Sequence, residues 1–160
     1  MEQIITLDDT DLKLLEALQT DASMSNQTLA ELVHVSPPTC LRRAKRLFEA
    51  GLIERQIAVL AADKLAALRG HSLTALVEIT LDRQGAEHAG VFEQRITLDT
   101  AVQQCYRTSP GPDFVLVVCT PDMPAYLALS QRLFTQDANV RNVKAFFSVK
   151  RAKFAPKVLL

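Results

Sequence analysis

The sequence predicts an α+β protein, with a helical N-terminal domain and a C-terminal domain of mixed helices and strands. Three observations support this class. Helix start and stop signals recur within the first 51 residues, apolar residues alternate along several later segments, and helix-length segments separate those strands. The chain has 160 residues, of which 48% are apolar and 22% charged, so it can form one packed domain or two small ones.

The first predicted helix begins at Asp8, a favourable N-cap residue. Leu7 and Leu12 stand at the spacing of a hydrophobic staple around this start. Leu12, Leu15 and Leu18 then repeat at helical spacing, so we expect them to form the buried stripe of this helix.

The second predicted helix begins at Ser25 and ends near His34. We expect Leu29, Leu32 and Val33 to face inward. The turn after such a helix often contains glycine, because its backbone needs a positive φ. His34 stands there instead, and histidine tolerates that conformation better than most residues.

The third predicted helix begins at Ser36 as its N-cap, with Pro37 at the first helical position, where proline is favoured. It runs to about Ala50, and Gly51 is a natural stop. Three short helices with a tight turn between the last two are a helix-turn-helix arrangement. We therefore predict a helix-turn-helix domain over residues 1–52.

Residues 53–70 are predicted to be a linker, with a strand over 53–61 and a short helical turn that ends at Gly70. Strands are then predicted at 73–81, 102–108, 114–120 and 140–150, and helices at 85–98 and 122–136. The βαββαβ order over residues 71–160 is that of the ferredoxin-like fold. In its two helices and last strand, the side chains expected to face inward are Val91, Phe92, Ile96, Tyr126, Leu129, Leu133, Val143, Ala145, Phe147 and Val149.

Basic residues are concentrated in the third helix, although the net charge of the chain is zero. Residues 1–60 hold six basic and nine acidic residues, and four of the six bases are Arg42, Arg43, Lys45 and Arg46. On a helical projection, Thr39, Arg42 and Arg46 share one side, with Lys45 and Arg43 beside them. The opposite side carries Leu41, Ala44, Leu47 and Phe48, which we expect to pack on the first two helices.

A basic helix face in this arrangement can enter the major groove of double-stranded DNA, where guanidinium groups pair with guanine edges. The alternative is a merely solvated basic face. The candidate DNA-contacting residues are Ser36, Pro38, Thr39, Arg42, Arg43, Lys45 and Arg46. A second basic cluster, Lys150, Arg151, Lys153 and Lys157, closes the chain.

Other classes of protein receive little support. The three cysteines are scattered and read as buried, reduced thiols, and the three histidines lack metal-ligand spacing, so we expect no metal and no cofactor. No nucleophile triad or phosphate-binding loop is evident, which disfavours an enzyme. No apolar run reaches membrane-spanning length and the N-terminus is acidic, so we expect a soluble, cytoplasmic protein without membrane contact.

The run S-N-x-x-L-A-x-x-V-x-V-S-P-P-T-C-L-R-R-x-x-R-L-x-x-x-G-L-I, from Ser25 to Ile53, resembles the N-terminal domain of the leucine-responsive regulator/AsnC (feast/famine) family. Segments Val77–Leu81, Val91–Gln94 and Pro121–Tyr126 are similar to the effector domain of that family. The match covers nearly the whole chain in order and spacing.

This resemblance implies a transcription regulator whose winged helix-turn-helix domain binds DNA as a homodimer. It implies that the linker strand and the C-terminal sheet build the dimer, and that dimers assemble further, often into octameric rings. It also implies that residues 71–160 bind an amino acid between dimers, which changes assembly or DNA affinity. A module that senses an amino acid but has lost DNA binding is the alternative, and the basic third helix argues against it.

The predicted effector loop joins the second and third strands of the C-terminal domain and reads S-P-G-P-D-F. Asp113 and Phe114 match the aspartate and aromatic residue of the family loop, whereas Gly111 stands one position later than the family glycine and Pro110 takes its place. An amino acid needs an acceptor for its ammonium and donors for its carboxylate, which this loop can supply. An ordinary hairpin turn, with Asp113 as turn-former, is the alternative.

The candidate ligand-binding residues are Thr108, Ser109, Gly111, Pro112, Asp113, Phe114, Met123, Tyr126 and Phe146. Because several of them are apolar, leucine or methionine is the favoured effector. Plain packing is the alternative role for Met123, Tyr126 and Phe146.

Overall fold

The computed structural model of the protein describes residues 6–83 and 85–160, apart from the side chain of Asp63. These residues form two compact units: the chain up to Val59 together with Lys153–Leu160, and Leu60–Ala152. The predicted boundaries at 52 and 70 had assigned the C-terminal tail to the second domain, whereas the structure groups it with the first. Residues 1–5 of the predicted N-terminal domain lie outside the described residues.

The first unit contains three helices: α1 (Asp9–Thr20), α2 (Asn26–Leu32) and α3 (Pro37–Glu49). All three predicted starts are confirmed, because the side chains of Asp8, Ser25 and Ser36 each accept a hydrogen bond from a backbone N–H three residues later. Gly51, with φ 71°, follows the end of α3 as predicted.

The core of the first unit consists of Leu14, Ala17, Leu29, Ala30, Val33, Cys40 and Leu47. The predicted stripe of α1 is therefore off centre: Leu15 and Leu18 only pack partly against this core, whose α1 contribution is Leu14 and Ala17. Leu32, which we expected inside, is 54% exposed. The other two expected residues, Leu29 and Val33, are buried as predicted, and Val33 lies on the turn after α2, which ends at Leu32.

Residues 53–61 form no strand, so that prediction is wrong for the single chain. A strand needs a neighbour for its backbone hydrogen bonds, and no described residue pairs with this segment. The described part of the first unit accordingly has no β wing. Ile57, Val59 and Leu60 of the segment are exposed. The predicted short helix is confirmed as α4 (Ala62–Arg69), which ends at Gly70.

The C-terminal tail packs on α1 through both backbone and side chains. The amide of Val158 donates to Oε1 of Gln19 at 2.9 Å, and Nε2 of Gln19 donates to the carbonyl of Val158 at 3.0 Å. Nζ of Lys157 donates to Oε1 of Glu16 at 3.0 Å and to Oγ1 of Thr20 at 2.7 Å. Lys157, and next Gln19, lower the pKa of Glu16. One member of the terminal basic cluster is thus engaged within the protein.

The second unit confirms the predicted βαββαβ order. Its elements are β1 (Leu73–Leu81), α5 (Ala86–Thr97), β2 (Val102–Arg107), β3 (Phe114–Thr120), α6 (Met123–Ser130), a π-helical turn (Gln131–Thr135) and β4 (Val140–Phe147). The sheet order is β2-β3-β1-β4, and all neighbours are antiparallel. This is the ferredoxin-like sheet.

One face of the sheet is covered by α5 and α6. Its core contains alternate residues of β1 and β3 with the inner residues of both helices: Ala75, Val77, Ile79, Leu81, Phe114, Leu116, Val118, Phe92, Ile96, Tyr126, Leu129 and Leu133. Three expected inner residues are exposed: Val91 on the outer side of α5, Val149 beyond the end of β4, and Phe147, which is 39% exposed although its ring packs on Tyr126. Within the described residues, no helix combines the length and apolarity that a membrane span requires.

Candidate DNA interface and effector loop

The turn between α2 and α3 fixes where the third helix begins. His34 has φ 56°, as the sequence predicted, and the amide of Val35 donates to the carbonyl of Ala30 at 3.0 Å. Nδ2 of Asn26 donates to the carbonyl of Pro37 at 2.9 Å, which links the start of α2 to the start of α3. The two helices are therefore held as one structural element at this end.

The first turn of α3 contains three of the candidate DNA-contacting residues. The Ser36 hydroxyl accepts from the amide of Thr39 at 3.4 Å, and the two hydroxyl oxygens lie 2.9 Å apart. Pro38 is exposed and Thr39 is half-buried. Pro37 and Pro38 carry no backbone N–H, and the Thr39 N–H is bonded to Ser36, so the polar groups that this turn can offer a DNA phosphate are the hydroxyls of Ser36 and Thr39.

The buried side of α3 is formed by Cys40 and Leu47, about two helical turns apart. Burial raises the pKa of the Cys40 thiol, which keeps it protonated and suits a packing role. Leu41 is 61% exposed and Phe48 is 37% exposed, so the prediction that both pack on α1 and α2 is wrong. The helical projection of the sequence centred the buried side between Leu41 and Phe48, whereas in the structure it is centred on Cys40 and Leu47.

Two of the four bases of α3 turn toward the start of α1. Nη1 of Arg43 lies 2.7 Å from Oδ2 of Asp8 and 2.9 Å from Oδ1 of Asp11. Nη2 of Arg46 is hydrogen-bonded to the other oxygen of Asp11, which is fully buried. We call Asp8, Asp11, Arg43 and Arg46 the ion cluster. It joins α1 to α3 across more than thirty residues of sequence.

The contacts within the ion cluster favour the ionised forms of Asp8 and Arg43. The amide of Asp11, and next the Arg43 guanidinium, lower the pKa of Asp8. Asp8 and Asp11 in turn raise the pKa of Arg43. The Nε atoms of Arg43 and Arg46 are buried and lack a hydrogen-bond partner among the described residues, so both side chains are drawn into the unit.

Arg42 and Lys45 remain on the outer face of α3. Arg42 is exposed and forms no ion pair with any described residue. The Lys45 side chain is 73% exposed, with a loose contact of 3.6 Å to Glu49. The seven candidate residues thus divide into an outer group, centred on Pro38, Arg42 and Lys45, and the inward pair of Arg43 and Arg46.

The loop between β2 and β3, residues 108–113, contains all of the predicted effector loop 109–114 except Phe114, and it is closed by its own backbone. The amide of Thr108 donates to the carbonyl of Asp113 at 3.0 Å, and the Thr108 hydroxyl donates to the carbonyl of Pro112. Ser109 and Gly111 are exposed, and Gly111 has φ 127°, a conformation that favours glycine. The exposed tip can therefore present backbone groups to a small ligand.

Asp113 and Phe114 face the protein. Oδ2 of Asp113 accepts from the amide of Leu81 at 2.7 Å, which ties the loop to the end of β1. The alternative of a turn-forming role for Asp113 thus has direct structural support. Phe114 is fully buried and packs on Phe92, with ring centroids 5.0 Å apart, so it is a core residue and cannot line an open ligand site in this chain.

The other three ligand candidates lie elsewhere. Met123, 41% exposed, follows the opposite end of β3 from the loop, which is about 20 Å away along the strand. Tyr126 is buried with its ring against Phe147. Phe146 is 54% exposed and pairs with Leu76 on the sheet face away from the helices. One chain therefore does not bring the nine candidates into a single pocket.

Comparisons with known proteins agree with both halves of this architecture. Residues 7–47 match the AsnC-type helix-turn-helix domain, and residues 74–158 match the Lrp/AsnC ligand binding domain. The chain belongs to the Lrp/AsnC family. It is thus a transcriptional regulator with a DNA-binding helix-turn-helix and a ligand-binding domain, and its relatives carry the names of regulators rather than enzymes.

Individual relatives align over most of this Lrp/AsnC chain. The transcriptional regulator AzlB of Bacillus subtilis is 37% identical over 122 residues, 76% of this chain and 75% of that protein. The leucine-responsive regulatory protein of Escherichia coli is 30% identical over 154 residues, 96% of this chain and 92% of that protein. A regulator of Neisseria meningitidis, solved in complex with L-methionine, superimposes with a TM-score of 0.81 at 27% identity, covering 96% of this chain and 97% of that one.

Two features of the site were missed by the sequence analysis, and the second of them could have been found from the sequence. The capping pattern Asp8-x-x-Asp11 was readable as a helix start, but its pairing with Arg43 and Arg46 depends on how α3 crosses α1. The exposure of Leu41 follows from the same crossing. A projection centred on Cys40 and Leu47, instead of on Leu41 and Phe48, would have found it.

Proposed function

We propose that this Lrp/AsnC regulator contacts duplex DNA with the outer face of α3, and that an amino acid bound in the second unit changes its assembly or its DNA affinity. The observation that carries the proposal is the outer face itself: Arg42 and Lys45 are exposed, directly after the capped turn at Ser36. Long basic side chains at this place on a third helix can reach base edges and phosphates.

The roles of the basic residues differ in this proposal. Arg42 and Lys45 contact DNA, and Ser36, Pro38 and Thr39 bring the helix start close to the backbone. Arg43 and Arg46 orient α3 through the ion cluster, with Arg46, whose side chain is 41% exposed, at the margin of the interface. We propose that the protein acts in the cytoplasm, where bacterial DNA is accessible.

The proposed effector is leucine or methionine, bound at the tip of the 108–113 loop. A relative solved as an L-methionine complex and relatives named as leucine-responsive proteins support this choice of ligand. The exposed Ser109 hydroxyl and the backbone around Gly111 supply polar groups for the zwitterion. Since Met123 and Phe146 lie far from this tip within one chain, apolar contacts to the effector side chain would come from a neighbouring subunit.

The proposed homodimer uses the open face of the sheet. Val117, Leu76 and Phe146 are paired across three neighbouring strands on this face, and Leu76 and Phe146 are 43% and 54% exposed. An antiparallel sheet that faces water usually carries polar residues there, so an apolar row fits contact with a second copy. Association of dimers into an octamer is our proposal for the larger assembly.

A gel-shift assay tests the DNA contact. Arg42→Ala with Lys45→Ala should abolish specific retardation of a duplex selected from a random pool, while Lys13→Ala, an exposed base on α1, should leave it unchanged. Wild-type affinity should fall steeply with salt because bound counterions are released. Equal affinity of the double variant and the wild type would overturn the proposed interface.

Calorimetry and sedimentation test the other two parts. Leucine or methionine should bind the wild type. The Gly111→Val variant should bind more weakly, because a residue with a side chain is strained at φ 127°. The control Gly90→Ala, where the added methyl group meets open space on α5, should bind as the wild type does. Leu76→Glu should yield monomers, and Val91→Glu, on the outer side of α5, should not. If neither leucine nor methionine produced heat of binding, the proposed effector would be wrong. If Leu76→Glu assembled as the wild type does, the proposed dimer face would be wrong.

A further inference from the structure

The outer face of α3 contains an exposed leucine beside its basic residues. Pro38, Leu41, Arg42 and Lys45 stand at positions i, i+3, i+4 and i+7, which share one side of a helix. Leu41 is 61% exposed, more than any other large apolar residue of α3. It therefore lies at the edge of the basic stripe and outside the packing side formed by Cys40 and Leu47.

The ion cluster increases the share of the outer face of α3 that Leu41 forms. Because Arg43 and Arg46 point toward Asp11, two basic side chains and one aliphatic side chain dominate the middle of the outer face. Arg42 offers a donor fork for guanine, and Lys45 offers a compact positive charge for a phosphate or a base. Neither contact explains why an exposed leucine stands beside them.

An exposed leucine alone is ordinary on protein surfaces. This one is placed where the major groove would lie if the outer face binds DNA, and the one apolar group in that groove is the C5 methyl of thymine. The neighbouring positive charges of Arg42 and Lys45 fit the charge of DNA and oppose an apolar protein partner at this position. A thymine methyl is thus the occupant that matches both the shape and the surroundings of Leu41.

We infer that Leu41 is a specificity-determining residue that packs on one or two thymine methyl groups, next to the guanine contacted by Arg42. This inference rests on the proposed use of α3 as the DNA-contacting helix. It assigns part of sequence preference to apolar contact, so the half-site must contain thymine at a position adjacent to guanine.

Deoxyuridine substitution tests the contact, because it removes the thymine methyl and leaves the polar base edge unchanged. The probe is a duplex enriched by the full-length wild-type protein from a random-sequence pool. Each thymine is replaced singly by deoxyuridine. We expect one or two positions per half-site at which wild-type affinity falls about three- to fivefold, the effect of losing one buried methyl-sized group.

The leucine variants connect that effect to the side chain. Leu41→Ala should bind the thymine and deoxyuridine duplexes equally, while Leu41→Met should keep the discrimination. Leu32→Ala is the matched control, since Leu32 is a 54% exposed leucine of the same unit outside α3, and it should discriminate as the wild type does.

The outcomes separate this inference from the proposed function. Full discrimination by Leu41→Ala, or a wild type insensitive to every deoxyuridine substitution, would overturn the role of Leu41 while leaving α3 as the DNA-contacting helix. Failure of the wild type to enrich any duplex would overturn the proposed function, and this inference with it.

Discussion

Replacing Asp11 with asparagine should strongly destabilise the first unit, although Asp11 is not one of the proposed DNA-contacting residues. The Asp11 side chain is 1% exposed and accepts hydrogen bonds from Arg43 Nη1 at 2.9 Å, from Arg46 Nη2 and from the amide of Asp8 at 3.2 Å. The asparagine side chain would retain one acceptor oxygen and turn an amide donor toward guanidinium donors. Two positive charges would then lose their buried counter-charge.

The size of the effect follows from the burial of the partners. A hydrogen bond to a charged group contributes about 1.5–3 kcal/mol, and removing one member of a buried pair costs about 3–5 kcal/mol. The Arg43 and Arg46 side chains are 20% and 41% exposed, so water can solvate them in part and the lower end applies. We expect Asp11→Asn to lower the free energy of unfolding of the first unit by about 3 kcal/mol.

Urea unfolding followed by hydrogen exchange of α1 and α3 amides measures this loss for the first unit separately. Asp9→Asn is the matched control, because Asp9 is an exposed acid in the same first turn of α1, and its effect should stay within about 0.5 kcal/mol. The reasoning is refuted if the two variants unfold with the same free energy, since Asp11 would then contribute no more than a surface carboxylate.

Phe114→Ala should destabilise the second unit by about 3–5 kcal/mol in a urea titration, as expected for a fully buried aromatic residue, whereas the exposed Ser109→Ala should be neutral; a small loss at Phe114 would indicate an open ligand-lining position instead. Removing residues 153–160 should reduce hydrogen-exchange protection of α1 and leave the sheet unchanged, and unchanged protection of α1 would show that tail docking adds no stability. Asp8 has a lowered pKa in the folded state, so its contribution is present above the ordinary carboxyl pKa near 4 and is lost as pH falls through the lowered value. Acid unfolding of the first unit should therefore begin at about pH 4 or below, and Asp8→Asn should remove that part of the pH dependence; an unchanged acid profile would contradict it.

Local signals predicted most of the fold. The caps at Asp8, Ser25 and Ser36 fixed three helix starts because an N-cap acts within three residues of sequence. Alternation along Leu73–Leu81 predicted β1 and its buried side for the same reason, since the period of a strand is visible without knowledge of its neighbours.

Features that depend on a distant partner were predicted less well. The segment 53–61 has strand-like composition, but a strand forms only where another strand supplies hydrogen bonds. Val149 continues the alternation of β4, yet the sheet ends at Phe147 and leaves Val149 fully exposed. In both cases the residue types suit a strand, but the sequence does not show whether a neighbouring strand is present to accept and donate the backbone hydrogen bonds.

The effector site illustrates the same limit. Sequence reasoning grouped Phe114, Met123 and Phe146 because all three are apolar and could line a ligand pocket. In the folded unit, one is inside the core, one is at the far end of β3, and one is on the open face of the sheet. Chemical type selects residues that could bind a ligand, but only the sheet register decides whether they can meet.

The division of the basic residues on α3 has a consequence for how this regulator would distinguish DNA sequences. Non-specific attraction grows with the number of phosphates neutralised, and each contact adds about 0.9 to the salt-dependence slope. Residues 1–60 carry more acids than bases, and the ion cluster uses Arg43 and Arg46 to balance two of those acids. In the proposed interface, a single α3 would therefore add few phosphate contacts and would bind non-specific DNA weakly. Strong binding would then require two such helices in the proposed dimer together with the proposed base contacts of Arg42 and Leu41, so discrimination would come from the base edges rather than from charge.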